Sequence, residues 1–211
     1  MIKVEKIDVW GFQHAIRGMR NPLNSWEKSD SFDHMNFYAD DKKVEAEFIG
    51  KDDLELMKRL YSAGPEHRKY LRQIFVSMDI TAPLYWWKEF DTYKIGTVSN
   101  SCSTMHKIHA KEFVLDDFST DHLTDINLIW MQGIVDLLNS NRERYLETKD
   151  KNDWWQLIQL LPSSYNQRRT VTMNYENVVS IIHQRSGHKL DEWNDLIHEF
   201  YKLPYINEII F

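Results

Sequence analysis

The sequence contains little cysteine, glycine or proline. Its 211 residues include one Cys, seven Gly and five Pro. A single thiol, Cys102, cannot form a disulfide within the chain, so nothing indicates an oxidising compartment and we expect a cytoplasmic protein. So few Gly and Pro exclude a collagenous or low-complexity polypeptide. The composition therefore predicts a compact globular protein.

Long uncharged apolar runs are also missing. No stretch approaches the roughly 18 residues that a membrane span needs, so we predict no membrane partner. Residues 1–10 alternate apolar and charged side chains, which is typical of a strand and not of a signal peptide. The net charge of -6 argues against a protein that coats a nucleic-acid polymer.

The residues that are present favour one α+β domain. The chain is 42% hydrophobic, 27% charged and 13% aromatic, and its length predicts a single domain over 1–211. Alternation predicts strands at 2–9, 44–49 and 75–80. Helical spacing and capping residues predict helices at 12–19, from Asp52 or Asp53 to 61, and at 65–72, 84–93, 122–146, 153–161, 175–184 and 190–201. Because helices dominate, the class is α+β.

The longest predicted helix, residues 122–146, has an apolar stripe. A stripe at helical spacing predicts a face that packs on the core. We therefore expect the strand at 75–80 to pack under this helix. The stripe consists of Ile126, Ile129, Trp130, Ile134, Leu137 and Leu138.

No common catalytic or phosphate-binding signature is present. Seven scattered Gly and one Cys cannot supply a glycine-rich phosphate loop, a nucleophile elbow or a paired-cysteine zinc site. His106 and His109, with Asp116 and Asp117 nearby in sequence, lack the further ligands that a metal site needs, so we predict no metal. Cys102 lies in a hydroxyl-rich run, where we favour a small, half-buried thiol over a reactive one.

A basic pair suggests anion binding in the C-terminal half. Arg168 and Arg169 lie among short polar residues at 161–170, which we interpret as a loop before a helix capped by Asn174. A guanidinium fork suits phosphate or carboxylate, and a helix N-terminus adds oriented N–H groups. Two solvated arginines are an equal alternative. Arg185, at the end of the next predicted helix, is expected to satisfy C-terminal carbonyls.

Four aromatic residues share one face of the predicted helix at 84–93. Trp86, Trp87, Phe90 and Tyr93 have rings that can stack on a base or a flavin. Their spacing is equally that of a helix packed on the core. We favour core packing.

The pattern of the chain resembles that of the flavin-dependent thymidylate synthases. That family has F-x-F-x-V-x-A-P and then R-Q-W-x-R-H-R-x-x-S-x-N-E-x-S-x-R-Y, and residues 76–83 and 88–105 are similar in length and rhythm. In the C-terminal half, Leu161-Pro162, Arg168 and Asn174 are similar in register to L-P-x-x-x-x-x-R-x-x-x-x-x-N. The resemblance covers most of the chain.

The end of the chain continues this resemblance. Arg185, His188 and Glu192 resemble R-x-x-x-H-A-Q-x-E with one residue fewer. The resemblance implies a subunit with a small antiparallel sheet packed against long helices, in a homo-oligomer, as a tetramer with sites shared between subunits. It also implies FAD as cofactor and dUMP as the nucleotide that receives a one-carbon unit from folate.

Site residues follow from this resemblance position by position. His67, Asn174 and His188 fall where the family contacts FAD. The resemblance assigns no catalytic residue. The implied substrate positions are Lys94, Cys102, Arg168 and Arg185.

The signature departs from the family in charge. Thr92, Tyr93 and Lys94 replace Arg-His-Arg, Asn100 replaces the Glu and Thr104 replaces the last Arg. Each lost charged hydrogen bond removes roughly 1.5 to 3 kcal/mol of binding free energy. We therefore predict that conventional dUMP methylation is weak or absent.

Three classes of function remain open. The first is a diverged thymidylate synthase-like protein that binds FAD or a nucleotide between subunits. The second is a non-catalytic protein that sequesters a nucleotide signal or metabolite, and the third is a structural oligomer with a vestigial cleft. In both ligand-binding classes we expect Arg168 and Arg185 to converge on one anionic ligand.

Overall fold

The computed structural model describes residues 2–39 and 42–211, with the backbone alone described for 33–39 and 42–47. The strands are β1 Lys3–Trp10, β2 Phe32–Ala39, β3 Lys42–Phe48, β4 Phe75–Pro83, β5 Thr97–Ser101 and β6 Asn166–Asn174. The helices are α1 Phe12–Arg20, α2 Lys51–Ser62, α3 Leu84–Phe90, α4 Asp125–Thr148, α5 Lys151–Leu160, α6 Tyr175–Arg185, α7 Asp191–Phe200 and α8 Ile206–Ile210. The predicted α+β class is confirmed.

The main sheet has the strand order β1-β4-β6-β5, and every neighbouring pair is antiparallel. Strands β2 and β3 form a separate antiparallel pair. The alternation expected at Val44 and Ala46 concerns side chains outside those that the structure describes. The strand predicted at 44–49 is confirmed for the backbone.

The two faces of the main sheet differ because successive side chains in a strand point to opposite sides. One face is apolar and buried, with Val76, Met78 and Ile80 from β4 and Val171 and Met173 from β6. The other face is polar and open. Its central rows pair Ser77 with Thr172, Asp79 with Thr170 and Thr81 with Arg168.

The main hydrophobic core lies on the apolar face of this sheet. Helices α1, α3, α6 and α7 contribute to it, and the largest buried side chains include Trp86, Trp87, Phe90 and Trp193. The rings of Trp86 and Trp193 have centroids 4.7 Å apart. The preference for core packing of the aromatic residues on α3 is therefore confirmed for Trp86, Trp87 and Phe90.

A second, smaller core joins α4, α5 and the segment that follows β5. It contains Met131, Val135 and Leu138 from α4, and its other members are Ile108, Phe113, Phe118 and Leu157. The strand at 75–80 belongs to the main core, so the prediction that it packs under the long helix is wrong.

The predicted buried stripe of α4 is also wrong. Leu138 is buried, but Trp130 is 68% exposed. A neighbouring helix face, carrying Met131 and Val135, packs on the second core instead. The other exposed members of the stripe are Ile126, Ile129, Ile134 and Leu137.

The prediction that an aspartate caps α2 needs correction. Neither Asp52 nor Asp53 caps α2, whose N-cap is Gly50. The Asp30 carboxylate accepts the backbone N–H groups of both residues, at 2.9 and 3.1 Å. The Asp53 side chain is instead buried and accepts a hydrogen bond of 2.6 Å from Arg20 Nε. A tertiary ion pair thus occupies the side chain that the sequence suggested as a cap.

Five segments adopt structures that the sequence patterns did not predict. Residues 161–170, interpreted as a loop, contain the start of β6, and β2, β5 and α8 were not predicted. The helix expected at 65–72 is a short 3₁₀ helix at Arg68–Gln73. Strand β6 escaped prediction because Gln167 and Arg169 place polar groups on the face that also carries Val171.

The remaining predicted elements are confirmed within a few residues. These are β1, β4, α1, α3, α4, α5, α6 and α7. Within the part of the chain that the structure describes, no helix combines the length and the apolar character needed to cross a membrane.

Candidate functional site

Arg168 lies on the open, polar face of the main sheet. Its Nη2 donates to Asp79 Oδ2 at 2.5 Å, and Thr170 Oγ1 donates to the other carboxylate oxygen at 2.5 Å. Lys6 Nζ lies 4.0 Å from Asp79 Oδ2. The three strands β1, β4 and β6 therefore converge on one carboxylate with two cations beside it.

The electrostatics of this group keep both members charged. The hydrogen bonds from Thr170 and then Arg168 lower the pKa of Asp79, and the Asp79 carboxylate raises the pKa of Arg168. The Arg168 side chain remains 42% exposed. It can therefore meet an anion from solvent while it stays anchored to the sheet.

Cys102 extends this face by one residue beyond β5. Its backbone N–H donates to the Arg168 carbonyl at 2.9 Å, and its own carbonyl accepts from Gln167 Nε2 at 2.7 Å. The residue is exposed, so the expectation of a half-buried thiol is wrong. Cys102 and Arg168 are thus neighbours across the β5–β6 edge.

Arg185 lies in a different and more closed environment, between α3, α6 and α7. Its Nη1 donates to Glu89 Oε2 at 3.0 Å and its Nε donates to the Tyr93 hydroxyl at 3.0 Å. The guanidinium carbon lies 4.7 Å from the ring centroid of Trp193, whose indole N–H also donates to Glu89 Oε2 at 3.0 Å. These side-chain partners replace the C-terminal carbonyls that the sequence suggested for Arg185.

His188 lies at the edge of the same cluster. Its Nδ1 accepts the Leu190 backbone N–H at 3.1 Å, and its Nε2 lies 3.5 Å from Glu89 Oε2. The same Nε2 lies 3.2 Å from Arg185 Nη1. His188 thus orders the turn between α6 and α7.

Asn174 is the N-cap of α6, as the sequence predicted. Its Oδ1 accepts the Asn177 backbone N–H at 3.0 Å, and the Asn177 side chain donates to the Ile95 carbonyl at 2.8 Å. Gly96 adopts φ +75°, and a Cβ there would lie 2.6 Å from Asn174 Nδ2. The glycine therefore lets the 91–96 loop, with exposed Lys94, lie against the start of α6.

His67 is exposed and precedes Arg68, whose guanidinium pairs with Glu176 at 2.9 Å near the start of α6. His67 precedes the 3₁₀ helix at Arg68–Gln73 and lines a cavity of about 590 Å³ beside the end of α1. Met19, Leu60 and Tyr70 form apolar parts of the wall.

The predicted site residues thus fall into four places within one subunit. Arg168 and Cys102 share the open sheet face, and His67 lines its own cavity. Asn174 and Arg185 stand at opposite ends of α6, about 16 Å apart at 1.5 Å per residue. Lys94 lies near the Asn174 end, and His188 beside Arg185.

Two acidic residues of these groups were not found from the sequence. Asp79 anchors Arg168, and Glu89 anchors Arg185. Alternation of Ser77, Asp79 and Thr81 with apolar residues in β4 was the available signal for a polar face, whereas no pattern in sequence linked Glu89 to α6. Among the described residues, no group of three or more His, Cys, Asp or Glu side chains is arranged to hold a metal ion.

Comparison with known proteins gives a fold relationship. No protein-family model and no curated protein sequence matches the chain. Among solved structures, the chain is similar to the flavin-dependent thymidylate synthase ThyX from Helicobacter pylori complexed with FAD and dUMP. One such structure has 19% identity and a TM-score of 0.69, with 99% of this chain and 97% of that chain covered.

A second structure of the Helicobacter pylori enzyme with FAD and dUMP, at 2.31 Å resolution, gives the same result. The identity is 19%, the TM-score is 0.70, and 100% of this chain and 97% of that chain are covered. The chain therefore has a ThyX-like α+β fold over its whole length, as the sequence resemblance implied.

Proposed function

We propose that this chain is a diverged flavin-dependent thymidylate synthase-like protein, a single domain over 1–211 that works in the cytoplasm. It binds FAD or a nucleotide such as dUMP where subunits of a homo-oligomer meet, and its dUMP methylation is weak or absent. The observation that supports this most directly is the full-length fold likeness to an enzyme whose structures hold FAD and dUMP.

Arg168 is the residue we assign to the nucleotide phosphate. Its side chain is 42% exposed and is oriented by Asp79 across the sheet. Exposed Cys102 and Lys94 complete the substrate side. Arg185 is only 19% exposed and bound to Glu89 and Tyr93, so it supports the site by holding α6 against α3.

The fit of FAD to the three residues named by the resemblance depends on a second subunit. Asn174 and His188 direct their polar atoms to their own chain, while His67 lines a separate cavity. Because Asn174 and His188 lie near opposite ends of α6, we infer that a second subunit completes the FAD site. When bound, FAD would supply redox chemistry, and the residues of this chain would bind and orient it.

The contacts of the altered signature support weak methylation. Thr92 Oγ1 donates to the Glu89 carbonyl at 2.8 Å, and the Tyr93 hydroxyl accepts from Arg185 and donates to Gln184. These groups are occupied by contacts within the chain. Two cationic side chains of the family's Arg-His-Arg are therefore missing from the site. Because transfer depends on how the reactants are oriented, we expect it to be slow.

The second candidate is a non-catalytic protein that sequesters a nucleotide. The contacts of Tyr93 within the chain favour this candidate, because its hydroxyl is used to stabilise the fold. Of the three residues that stand in place of Arg-His-Arg, only Lys94 then carries a charge. Binding through Arg168 needs none of the lost groups.

The exposed stripe of α4 supports the homo-oligomer. Trp130 and Ile129 are 68% and 67% exposed, and Ile126 and Leu137 extend the same surface. A contiguous apolar surface on a folded protein marks a contact with another molecule. We assign it to a second copy of this chain, in a tetramer.

The ligand is tested on the purified protein. Flavin absorbance and mass spectrometry of released nucleotides identify what it retains, and calorimetry measures dUMP binding. We expect dUMP binding that Arg168→Gln weakens and that Arg72→Gln, a matched change at an exposed arginine, leaves unchanged. Absence of any bound or titratable flavin or nucleotide would refute both candidates.

Activity separates the two candidates. The protein is incubated with dUMP, FAD, methylene-tetrahydrofolate and a nicotinamide reductant, and dTMP is measured. A trace of dTMP, or retention of flavin, supports the first candidate, and nucleotide binding with neither flavin nor dTMP supports the second. Robust turnover by the natural chain would overturn the prediction of weak methylation.

The assembly has its own test. Light scattering should give a tetramer for the natural chain and smaller species for Ile129→Ser with Trp130→Ser. Val114→Ser, at a residue 51% exposed outside the stripe, is the control. A monomeric natural chain would refute the shared site.

A further inference from the structure

A small basic cavity lies between α4, α5 and the segment that follows Cys102. Its volume is about 290 Å³, and its nitrogen-bearing walls are His106, His109, Lys149 and Lys151. Tyr145 and Trp154 provide aromatic walls. None of the residues that line it is acidic, which separates it from the carboxylate-anchored arginines described above.

The charged side chains that line this cavity are all positive. Burial, followed by the positive charges of Lys149, Lys107 and Arg142, lowers the pKa of His109. The His109 Nδ1 is buried and makes no hydrogen bond within the described structure. The imidazole is thus a neutral group in a positive field, which disfavours a metal cation and favours an anion.

Two carboxylates near the helix junction, Asp150 and Asp153, have partners outside the cavity lining. Asp150 caps α5 by accepting the Asn152 backbone N–H at 2.8 Å. Asp153 is bound by Arg144 Nε at 2.9 Å and by Thr148 Oγ1 at 2.7 Å.

The backbone fixes the two lysines at the junction of the helices. Lys149 ends α4 in the left-handed region at φ 55°, and Lys151 is the first residue of α5. A cation at the first position of a helix is unfavourable with the helix macrodipole, and that same dipole attracts an anion. Stability of α5 therefore does not explain Lys151.

The aromatic walls hold the cavity in shape. The Tyr145 and His109 rings meet edge to face with centroids 4.9 Å apart, and the Trp154 indole N–H donates to the Met105 carbonyl at 3.1 Å. Arg142 Nε donates to the His109 carbonyl at 3.0 Å. The segment that carries His106 and His109 is thus tied to both helices, whose junction carries the two lysines.

We propose that this cavity binds the phosphate group of a small phosphorylated ligand through Lys149, Lys151 and the His106–His109 segment. The site is separate from Arg168 and does not depend on FAD or dUMP binding. Charge-assisted hydrogen bonds from ammonium groups to phosphate oxygens supply the attraction, and the ligand offsets the repulsion between the cations.

Inorganic phosphate and pyrophosphate are the probes, with sulfate as a competitor, and the full chain is used. Calorimetry measures affinity, and NMR follows the His109 ring resonances, assigned with His109→Gln. We expect saturable binding that shifts these resonances and raises the pKa of His109, since an anion stabilises the imidazolium. Lys149→Asn with Lys151→Gln should weaken binding by about tenfold or more.

The variants separate this site from the proposed nucleotide site. Asn tolerates the left-handed conformation of Lys149, so the double variant should fold, as checked by circular dichroism. Lys58→Gln on α2 should bind pyrophosphate as the natural chain does, and Arg168→Gln should leave the pyrophosphate-dependent shift of the His109 resonances unchanged. The proposal is refuted if His109 does not respond to either probe, or if the double variant binds them as tightly as Lys58→Gln does.

Discussion

Arg168 and Arg185 form the same kind of ion pair in two opposite settings. Arg168 pairs with Asp79 on the open sheet face and stays 42% exposed. Arg185 pairs with Glu89, is 19% exposed and also packs on Trp193 and Tyr93. The difference shows that a guanidinium is available to a ligand only where the fold leaves part of it exposed to solvent.

The largest expected effect is on the closed side. Arg185→Ala leaves Glu89 without its cation and removes the hydrogen bond to Tyr93, so the free energy of unfolding should fall by about 2 to 3 kcal/mol. Urea denaturation measures it. Arg72→Ala, at an exposed arginine, should stay within about 0.5 kcal/mol of the natural chain. Equal effects from the two changes would contradict the structural role of Arg185.

The next effect tests the loop that closes against α6. Gly96→Ala puts a Cβ 2.6 Å from Asn174 Nδ2 at a residue with φ +75°. We expect a loss of about 1 to 3 kcal/mol from strain, measured by thermal unfolding. Gly187→Ala is the matched control, because Gly187 has φ +71° but open space around its Cβ. If both changes cost the same, the close approach at Gly96 is unimportant.

A smaller, pH-dependent effect is expected on the open side. Hydrogen bonds from Thr170 and Arg168 lower the folded-state pKa of Asp79. The stability that the Asp79 carboxylate contributes is present above its unfolded pKa of about 4 and is lost as pH falls through the lower folded pKa. Asp79→Asn should therefore be less stable than the natural chain at neutral pH, by less than Arg185→Ala.

That stability gap between the natural chain and Asp79→Asn should narrow with acidification, as urea titrations at several pH values would measure. Ser77→Ala, on the same strand and face, serves as the pH-insensitive control. A gap that is constant from neutral to acid pH would show that the Asp79 charge does not matter.

The smallest effect on stability is expected for Arg168→Gln. Its side chain is well exposed, and Asp79 keeps the hydrogen bond from Thr170. Under the proposed function, dUMP binding should nevertheless weaken by about tenfold in calorimetry. A variant with unchanged affinity and intact folding would remove Arg168 from the site.

Local patterns predicted the elements whose packing follows one periodicity. Helices α6 and α7 bury one side each, and β4 alternates Val76, Met78 and Ile80 with polar residues, so their sequences show what their environment requires. Strand β6 failed this test because Gln167 and Arg169 lie on its buried side. Arg169 is accepted there because it pairs with Asp91 and lies over Trp87.

The candidate site was predictable as a set of residue types and not as a set of neighbours. Arg168, Arg185 and Asn174 were all selected from the sequence, but their partners Asp79, Glu89 and Gly96 come from segments 78 to 96 residues away. The sequence does not show whether an arginine will pair with a carboxylate of the chain or stay exposed to bind a phosphate. Only the chain path determines which of these occurs.

The sequence by itself determined the α+β class, most helices and β4, and the residue types from which an anion site could be built. These follow from periodicity, capping and composition, which are local properties. Tertiary structure alone decided that α4 turns Ile129 and Trp130 outward and that Arg185 is enclosed while Arg168 stays open. Burial and ion pairing join residues far apart in the chain, and each gains or loses its free energy only when the segments meet.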